Sequence, residues 1–353
     1  MRSLICHAAQ DLRVEEAPVP TPGPHQLLVQ VAFGGICGSD LHYFQHGGFG
    51  TVRIKEPMAL GHEVSGVIEA VGEQVTGHRR SFQVGERIAI SPSRPCGQCR
   101  FCQAGQHNHC LNMRFYGSAM PFPHIQGAFS EKLVIDATQA HRVADHLSLS
   151  EAALAEPLSV GLHAIQRAGG VFGKQVLVTG CGAIGSLLIG GLRRAGAARI
   201  VAVDLSDLAL GVARRMGADE TVNLRTDAAA LDPYKLDKGQ FDVVFEASGS
   251  EAALRTALDL IAPRGVLITV GLGGEINLPM NQIVTKEIDL RGTFRFHAEF
   301  ATAVQFLNQG LIDGKPVITR VLPVDRAVEA FALAGDKSQS LKVQINFSDP
   351  VAA

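Results

Sequence analysis

The run QVLVTGCGAIGSLLIGGLRRAG constrains this chain more than any other stretch. A strand-like apolar segment reaches Gly180, Gly182 and Gly185 complete a G-x-G-x-x-G spacing, and helical apolar periodicity begins at once. Each glycine has a physical task. Gly180 permits a tight turn, Gly182 lets the backbone approach a pyrophosphate, and Gly185 lets helix and strand pack closely. The amides of the first helical turn, around Ile184, then face the phosphates. Downstream, RIVAVD ends in Asp204, at the spacing of a carboxylate that accepts hydrogen bonds from both ribose hydroxyls and repels a 2′-phosphate. The pattern favours NAD, with NADP the lesser candidate. The rival reading, ordinary turn glycines with Asp204 as a helix N-cap, leaves the strand–turn–helix–strand context unexplained. Further strand-like runs, ETVNL, FDVVFEAS and GVLITVG, alternate with helical stretches. Such alternation predicts an α/β domain with a doubly wound parallel sheet of the Rossmann type.

Up to about residue 150 the rhythm differs. LLVQVAF, VSGVIEAV and RIAI read as short strands and PVPTPGPHQ as a loop, the pattern of a small, irregular all-β domain. SLSEAALAEPLSVGLHAI opens on Ser capping signals and continues with helical spacing. RVLPVD and KVQINF read as strands that return to the first domain. The expected organisation is therefore a β domain over 1–153, a cofactor domain over 154–290, and a C-terminal part, 291–353, returning to the first. A chain of 353 residues can hold two such cores.

Hydrophobic residues make up 46% and charged residues 19%, with a formal net charge of -2. That balance gives no general attraction to nucleic acid or anionic lipid, so neither is expected as a partner. MRSLICHAAQ has no long apolar run, and the apolar stretches elsewhere are broken by glycines. A cytoplasmic protein without a membrane span is expected.

Four of the seven cysteines lie together in Cys96-x2-Cys99-x2-Cys102-x7-Cys110. Four thiolates in one short loop match the closed tetrahedral shell of a structural zinc, with no position open for chemistry. An iron–sulfur run of the bacterial ferredoxin type would have a shorter last spacing and a Pro after the fourth Cys, where Leu111 stands. A second, dispersed candidate is Cys37, His62 and Glu63. These are suitable ligand types for a catalytic zinc, which keeps one position open. Sequence alone does not bring Cys37 to His62, and neighbours on a regular strand point to opposite faces, so His62 and Glu63 can act together only where the backbone turns. On residue types alone, a buried small Cys and a satisfied polar His are an equal reading.

GGICGSDLH, LGHEVSG, CGQCRFCQAGQHNHC, AEPLSVGLHA and VTGCGAIG, in that order, resemble the zinc-dependent medium-chain alcohol and polyol dehydrogenases. The resemblance implies a GroES-like catalytic domain, a Rossmann NAD domain, an active site in the cleft between them, two zinc ions per chain, and a homo-oligomer, dimer or tetramer. It makes Cys37, His62 and Glu63 candidates for the catalytic zinc and Glu156 a carboxylate near the metal. It places Ser39 beside the reacting alcohol, His42 at the end of a proton path through the cofactor ribose, and Asp40 behind a ligand histidine. NMRFYGSAMPFPHIQGAFSEK, RGTFRFHAEFATAV and AGDKSQSLKVQI are similar to the branch that oxidises L-idonate to 5-keto-gluconate. Sorbitol and xylitol dehydrogenases share the framework, and threonine dehydrogenases are more distant. Tyr43 and Arg295 match positions that contact substrate hydroxyls, and Phe296 stands where sorbitol dehydrogenases carry Tyr. Tyr43 as a packing aromatic and Arg295 as a surface charge are the plainer readings. Leu208 and Ala209 stand where relatives often carry an Arg after the ribose acid. The resemblance thus implies NAD-linked oxidation of a small sugar acid or polyol. A non-catalytic NAD-binding module would not need Cys37, Ser39, His42, His62, Glu63 and Glu156 together.

Overall fold

The computed structural model describes residues 1–75 and 81–348. They form two compact units, Met1–Glu156 with Phe300–Gly310 and Ile318–Ala353, and Pro157–Glu299 with Leu311–Val317.

The first unit is built on alternation. In Gln26–Gly35, Leu27, Val29 and Val31 are fully buried on one face. This strand pairs antiparallel with Glu63–Val71 along one edge. Its other edge is shared by Lys132–Asp136 and Lys342–Asn346. Arg87–Ile90 and Ala140–Arg142 extend the sheet beyond Glu63–Val71, and Ile318–Pro323 extends it beyond Lys342–Asn346. The core beneath gathers Leu4, Met58, Leu60, Phe129, Phe331 and Phe347. This sheet, antiparallel except where Ile318–Pro323 runs parallel to Lys342–Asn346, is the β part of the α/β-plus-β fold.

The second unit is a six-stranded, wholly parallel sheet. Its spatial order is Glu220–Asn223, Arg199–Asp204, Gln175–Thr179, Phe241–Glu246, Ile261–Thr269, Asp289–Gly292. Numbered along the chain this is 3-2-1-4-5-6, the doubly wound order. Val176, Leu177, Val178, Ile200, Val201 and Ala202 are wholly inaccessible, as central parallel strands covered on both faces must be. The sixth strand, DLRG, is short and polar and escapes the sequence reading because it lies at the edge.

Two local expectations need correcting. The stretch read as one helix from SLSEAALAEP is two, Leu149–Ala152 and Ala155–Ala168, with Ser148 capping the first through the N–H of Glu151. The break sets Glu156 in the first turn of the longer helix. Residues 291–299 and 311–317 cluster with the parallel sheet rather than with the β unit. The first of these continues from the sixth strand, and Ile312 packs against Gly190 of helix Ala183–Arg194.

Candidate active site and metal centres

Two strand ends converge in the first unit. The pairing of Gln26–Gly35 with Glu63–Val71 ends at Gly35↔Glu63, so the residues just past the first strand lie beside those just before the second. Those residues are Cys37 and His62. Antiparallel register thus brings together what sequence could not. Gly61 has φ +90, and a Cβ there would strike the Phe129 ring, so the chain turns immediately before His62. His62 lies outside the strand that Glu63 begins, and their side chains can face one centre. A sulfur of Cys37, a ring nitrogen of His62 and a carboxylate oxygen of Glu63 lie within 4.8 Å of one another.

Asp40 ties the two ligand segments together. Fully buried, it accepts the N–H of Cys37 and the N–H of Gly61, each at 3.0 Å. Its Oδ1 is 3.7 Å from His62 Nδ1, an atom that is buried and makes no hydrogen bond. A metal-binding histidine ordinarily offers its second nitrogen to a carboxylate. Here the carboxylate is in place, and a small rotation of the ring would close the bond. Phe115 stacks obliquely on His62, with centroids 5.6 Å apart. Glu156 is also buried, and burial together with the nearby Glu63 pushes its carboxyl up to about 7, while His62 and Lys342 act the other way. Asp40, Glu63 and Glu156 with the Cys37 thiol therefore place several potential negative charges where water is scarce. Such a group needs compensating cations. Soft and hard donors, an orphaned histidine nitrogen and surplus negative charge all fit a divalent zinc.

Sequence reasoning missed Lys342. Its ammonium sits 2.8 Å from both oxygens of Glu63 and 3.0 Å from the carbonyl of Ile36. The only available signal was polar alternation, Lys342 and Gln344 within the apolar run of Lys342–Asn346.

Ser39 and His42 lie three apart in helix Gly38–His46 and so share a face. Partial burial and the neighbouring His46 hold His42 below the usual histidine range. Tyr43 is 2% exposed, its hydroxyl accepts the N–H of Ala119, and its ring tilts against Phe49, so the packing role is real.

The sulfurs of Cys96, Cys99, Cys102 and Cys110 also lie within 4.8 Å of one another. Cys99 and Cys102 are 3.6 Å apart, close to the edge of a tetrahedron with zinc–sulfur bonds of about 2.3 Å and far beyond a disulfide. The N–H groups of Cys96 and Asn112 donate to Cys110 sulfur, and the N–H groups of Cys102 and Leu111 draw the Cys99 thiol down to about 6. Backbone donors thus favour the thiolate at Cys96 and Cys99, whereas burial pushes the Cys102 thiol up to about 12.

In the second unit the glycines divide their work. Gly180 has φ +88, and a Cβ on Gly185 would lie 1.9 Å from its carbonyl. At Gly182, the helix N-cap, a Cβ would meet nothing, which leaves open space before Ile184 and the first helical turn. Asp204 ends its strand and is not the N-cap of the following helix; Ser206 is, accepting the N–H of Ala209. The Asp204 carboxylate accepts the N–H groups of Cys181, Leu205 and Ser206. Of the nearby cations, Arg193 is committed to Asp219 and Arg214 to Thr221. Arg225, unnoticed in the sequence, is exposed one residue beyond Leu224, whose N–H meets the Asp204 carbonyl. Arg295 is half-buried with φ +53, its guanidinium 5.0 Å from the Phe294 centroid, and Phe296 is wholly buried.

Residues 23–145 match the alcohol dehydrogenase GroES-like domain and residues 183–309 the zinc-binding dehydrogenase domain. The chain belongs to the zinc-binding, medium-chain dehydrogenase family, oxidoreductases that use zinc and NAD(P). It is 42% identical to an L-idonate 5-dehydrogenase (NAD(P)(+)) of Escherichia coli K12 over 321 residues, 91% of each chain. A crystal structure of L-idonate 5-dehydrogenase from E. coli K-12 superimposes with a TM-score of 0.93 at 40% identity, covering 98% of this chain and 97% of that one. Bos taurus sorbitol dehydrogenase is 35% identical, over 97% of this chain and 95% of that protein.

Proposed function

We propose that the protein oxidises the C5 hydroxyl of L-idonate to give 5-keto-gluconate, with NAD preferred over NADP. We assign the catalytic zinc to Cys37, His62 and Glu63, the structural zinc to the four-Cys loop, and the dinucleotide to Gly180, Gly182, Ile184, Gly185 and Asp204. When bound, zinc supplies a Lewis acid for the substrate oxygen and the dinucleotide supplies the two-electron oxidant. Ser39 takes the alcohol proton and passes it towards His42, which is held neutral near pH 7 by its lowered pKa. Asp40 fixes both ligand segments, and Glu156 supplies a second carboxylate beside them.

The observation that carries the substrate reading is the likeness to an L-idonate 5-dehydrogenase, 42% identical over 91% of each chain, and Arg295 adds a physical support. An arginine at positive φ costs on the order of 1 kcal/mol, and such strain gathers at ligand sites. A guanidinium suits the carboxylate of a sugar acid. Sorbitol and xylitol remain the second reading, supported by the sorbitol dehydrogenase and xylulose reductase relatives. Oxidation rates with L-idonate, gluconate, sorbitol, xylitol and threonine separate them, and idonate should lead in kcat/KM. Arg295→Leu should cost idonate about ten- to a hundred-fold more than neutral polyols, the worth of a charge-assisted pair. Equal losses would mean that Arg295 meets a hydroxyl or the cofactor.

Asp204→Asn tests the cofactor preference. It removes the charge and keeps an acceptor for Leu205 and Ser206 while losing the one for Cys181, whereas Asp204→Ala would lose all three. The NADP to NAD ratio of kcat/KM should rise about ten-fold or more, with a modest fall in melting temperature. A parent enzyme that uses both cofactors equally would move attention from Asp204 to Arg225.

We further assign a cytoplasmic homo-oligomer, dimer or tetramer. Among the described residues no helix is long and apolar enough to cross a membrane. The free edge of strand Asp289–Gly292, with Leu290, Val284 and Met280 exposed, is where a second copy would pair.

A further inference from the structure

Lys342 and Glu63 form a buried ion pair inside the cluster assigned to the catalytic metal, with side chains 4% and 1% exposed. A lysine ammonium has three protons. Here three acceptors meet it, the two Glu63 oxygens and the Ile36 carbonyl, so the group is fully satisfied and fixed. Its backbone is fixed as well. Strand Lys342–Asn346 runs antiparallel to Gln26–Gly35, and the N–H of Ile36 donates to the carbonyl of Val343. Glu63 in turn fills the space above Gly35, where a Cβ would come within 2.1 Å of its Oε2.

A carboxylate that shares both oxygens with an ammonium gives less electron density to a metal than a free one. The ammonium charge also repels a divalent ion directly, and burial leaves little solvent to screen it. We propose that Lys342 is a positioning residue that keeps Glu63 a weak, exchangeable ligand. It thereby holds the Cys37–His62–Glu63 centre open where a full-strength carboxylate would close it. The inference rests on the assignment of that cluster as a zinc site.

Two roles for the pair predict opposite signs. A lysine that only braces the fold would, when lost, let the metal escape faster. A lysine that weakens Glu63 would, when lost, make the metal harder to remove. In the zinc-loaded full-length enzyme, Lys342→Met should slow chelator-driven release of the labile zinc about ten-fold or more, with Lys342→Arg within about three-fold of the parent. The cobalt-substituted Lys342→Met protein should show a shifted visible d–d spectrum, and Lys342→Arg should restore the parent spectrum. Turnover should fall in Lys342→Met although its metal is held more tightly. Unchanged or faster release in Lys342→Met overturns the proposal. If Lys342→Met fails to fold, Lys342→Gln, which keeps a donor for Ile36, carries the same expectation. Failure of both to fold with zinc present would make Lys342 a brace and also overturn it. A parent enzyme holding one zinc, in the four-Cys loop alone, would instead overturn the zinc assignment of Cys37, His62 and Glu63.

Discussion

Cys37→Ala should leave one zinc per chain in place of two and lower kcat/KM by at least about a thousand-fold, because a Lewis acid at the substrate oxygen is worth several kcal/mol. The fold should survive. Cys37 is half-buried at the start of helix Gly38–His46; its backbone N–H donates to the Asp40 carboxylate, a link that Ala keeps, while its sulfur accepts the Asp40 N–H, a capping contact that Ala loses. Removing the thiol therefore leaves the Asp40 carboxylate links to both ligand segments intact, and the melting temperature should fall by about 5 °C or less. Dinucleotide affinity, measured by NADH fluorescence, should hold, since Gly180, Gly182 and Asp204 lie in the other unit. The combination of lost turnover, one lost metal and retained NADH binding separates a metal ligand from a merely structural cysteine. Full activity with a single zinc would remove Cys37 from the reaction.

How much of this was legible beforehand depended on sequence distance. The dinucleotide turn was readable because its parts are local. Gly180 and Gly185 each answer to a demand set within a few residues, a positive φ at the first and close approach to the Gly180 carbonyl at the second, while Gly182 leaves open space at the helix N-terminus. The four internal strands of the parallel sheet were readable as apolar runs because both of their faces are covered. The catalytic cluster was not readable in the same way. Its ligands meet only because the register between Gln26–Gly35 and Glu63–Val71 closes at Gly35↔Glu63, and register is a tertiary quantity. Lys342 was further still, joined to Glu63 across 279 positions. A buried lysine has no local signature, since its cost is offset by a partner that the sequence does not point to. For the same reason motif resemblance, and not spacing, supplied Cys37, His62 and Glu63 as a set.

The four-Cys loop lies at the other extreme, legible to the residue, and it carries the second large effect. Between residues 96 and 112, Cys102 and Cys110 alone are buried; the other side chains are half-buried or exposed, and Leu111 is 63% exposed. No apolar core exists there to replace a lost metal. The short helix Arg100–Gln103 and the 3-10 turn His107–His109 are each about one turn long, too short to persist unaided. Structural zinc contributes folding energy directly, about 10–16 kcal/mol in small zinc-finger peptides. Part of that is local to the loop and part reaches the sheet, through the strand pair Ser93–Arg94 and Arg114–Phe115 that closes its base. Cys99→Ser should therefore lose the chelator-resistant zinc and lower the melting temperature by at least about 10 °C. Limited proteolysis should cut within 96–112 before any other segment of the first unit. Turnover of the molecules that remain folded should fall far less than in Cys37→Ala, since no residue of the loop belongs to the Cys37–His62–Glu63 cluster. A Cys99→Ser protein with two zincs and an unchanged melting temperature would mean that three sulfurs suffice or that the loop holds no metal, and the ordering of those seventeen or so residues would then need another cause.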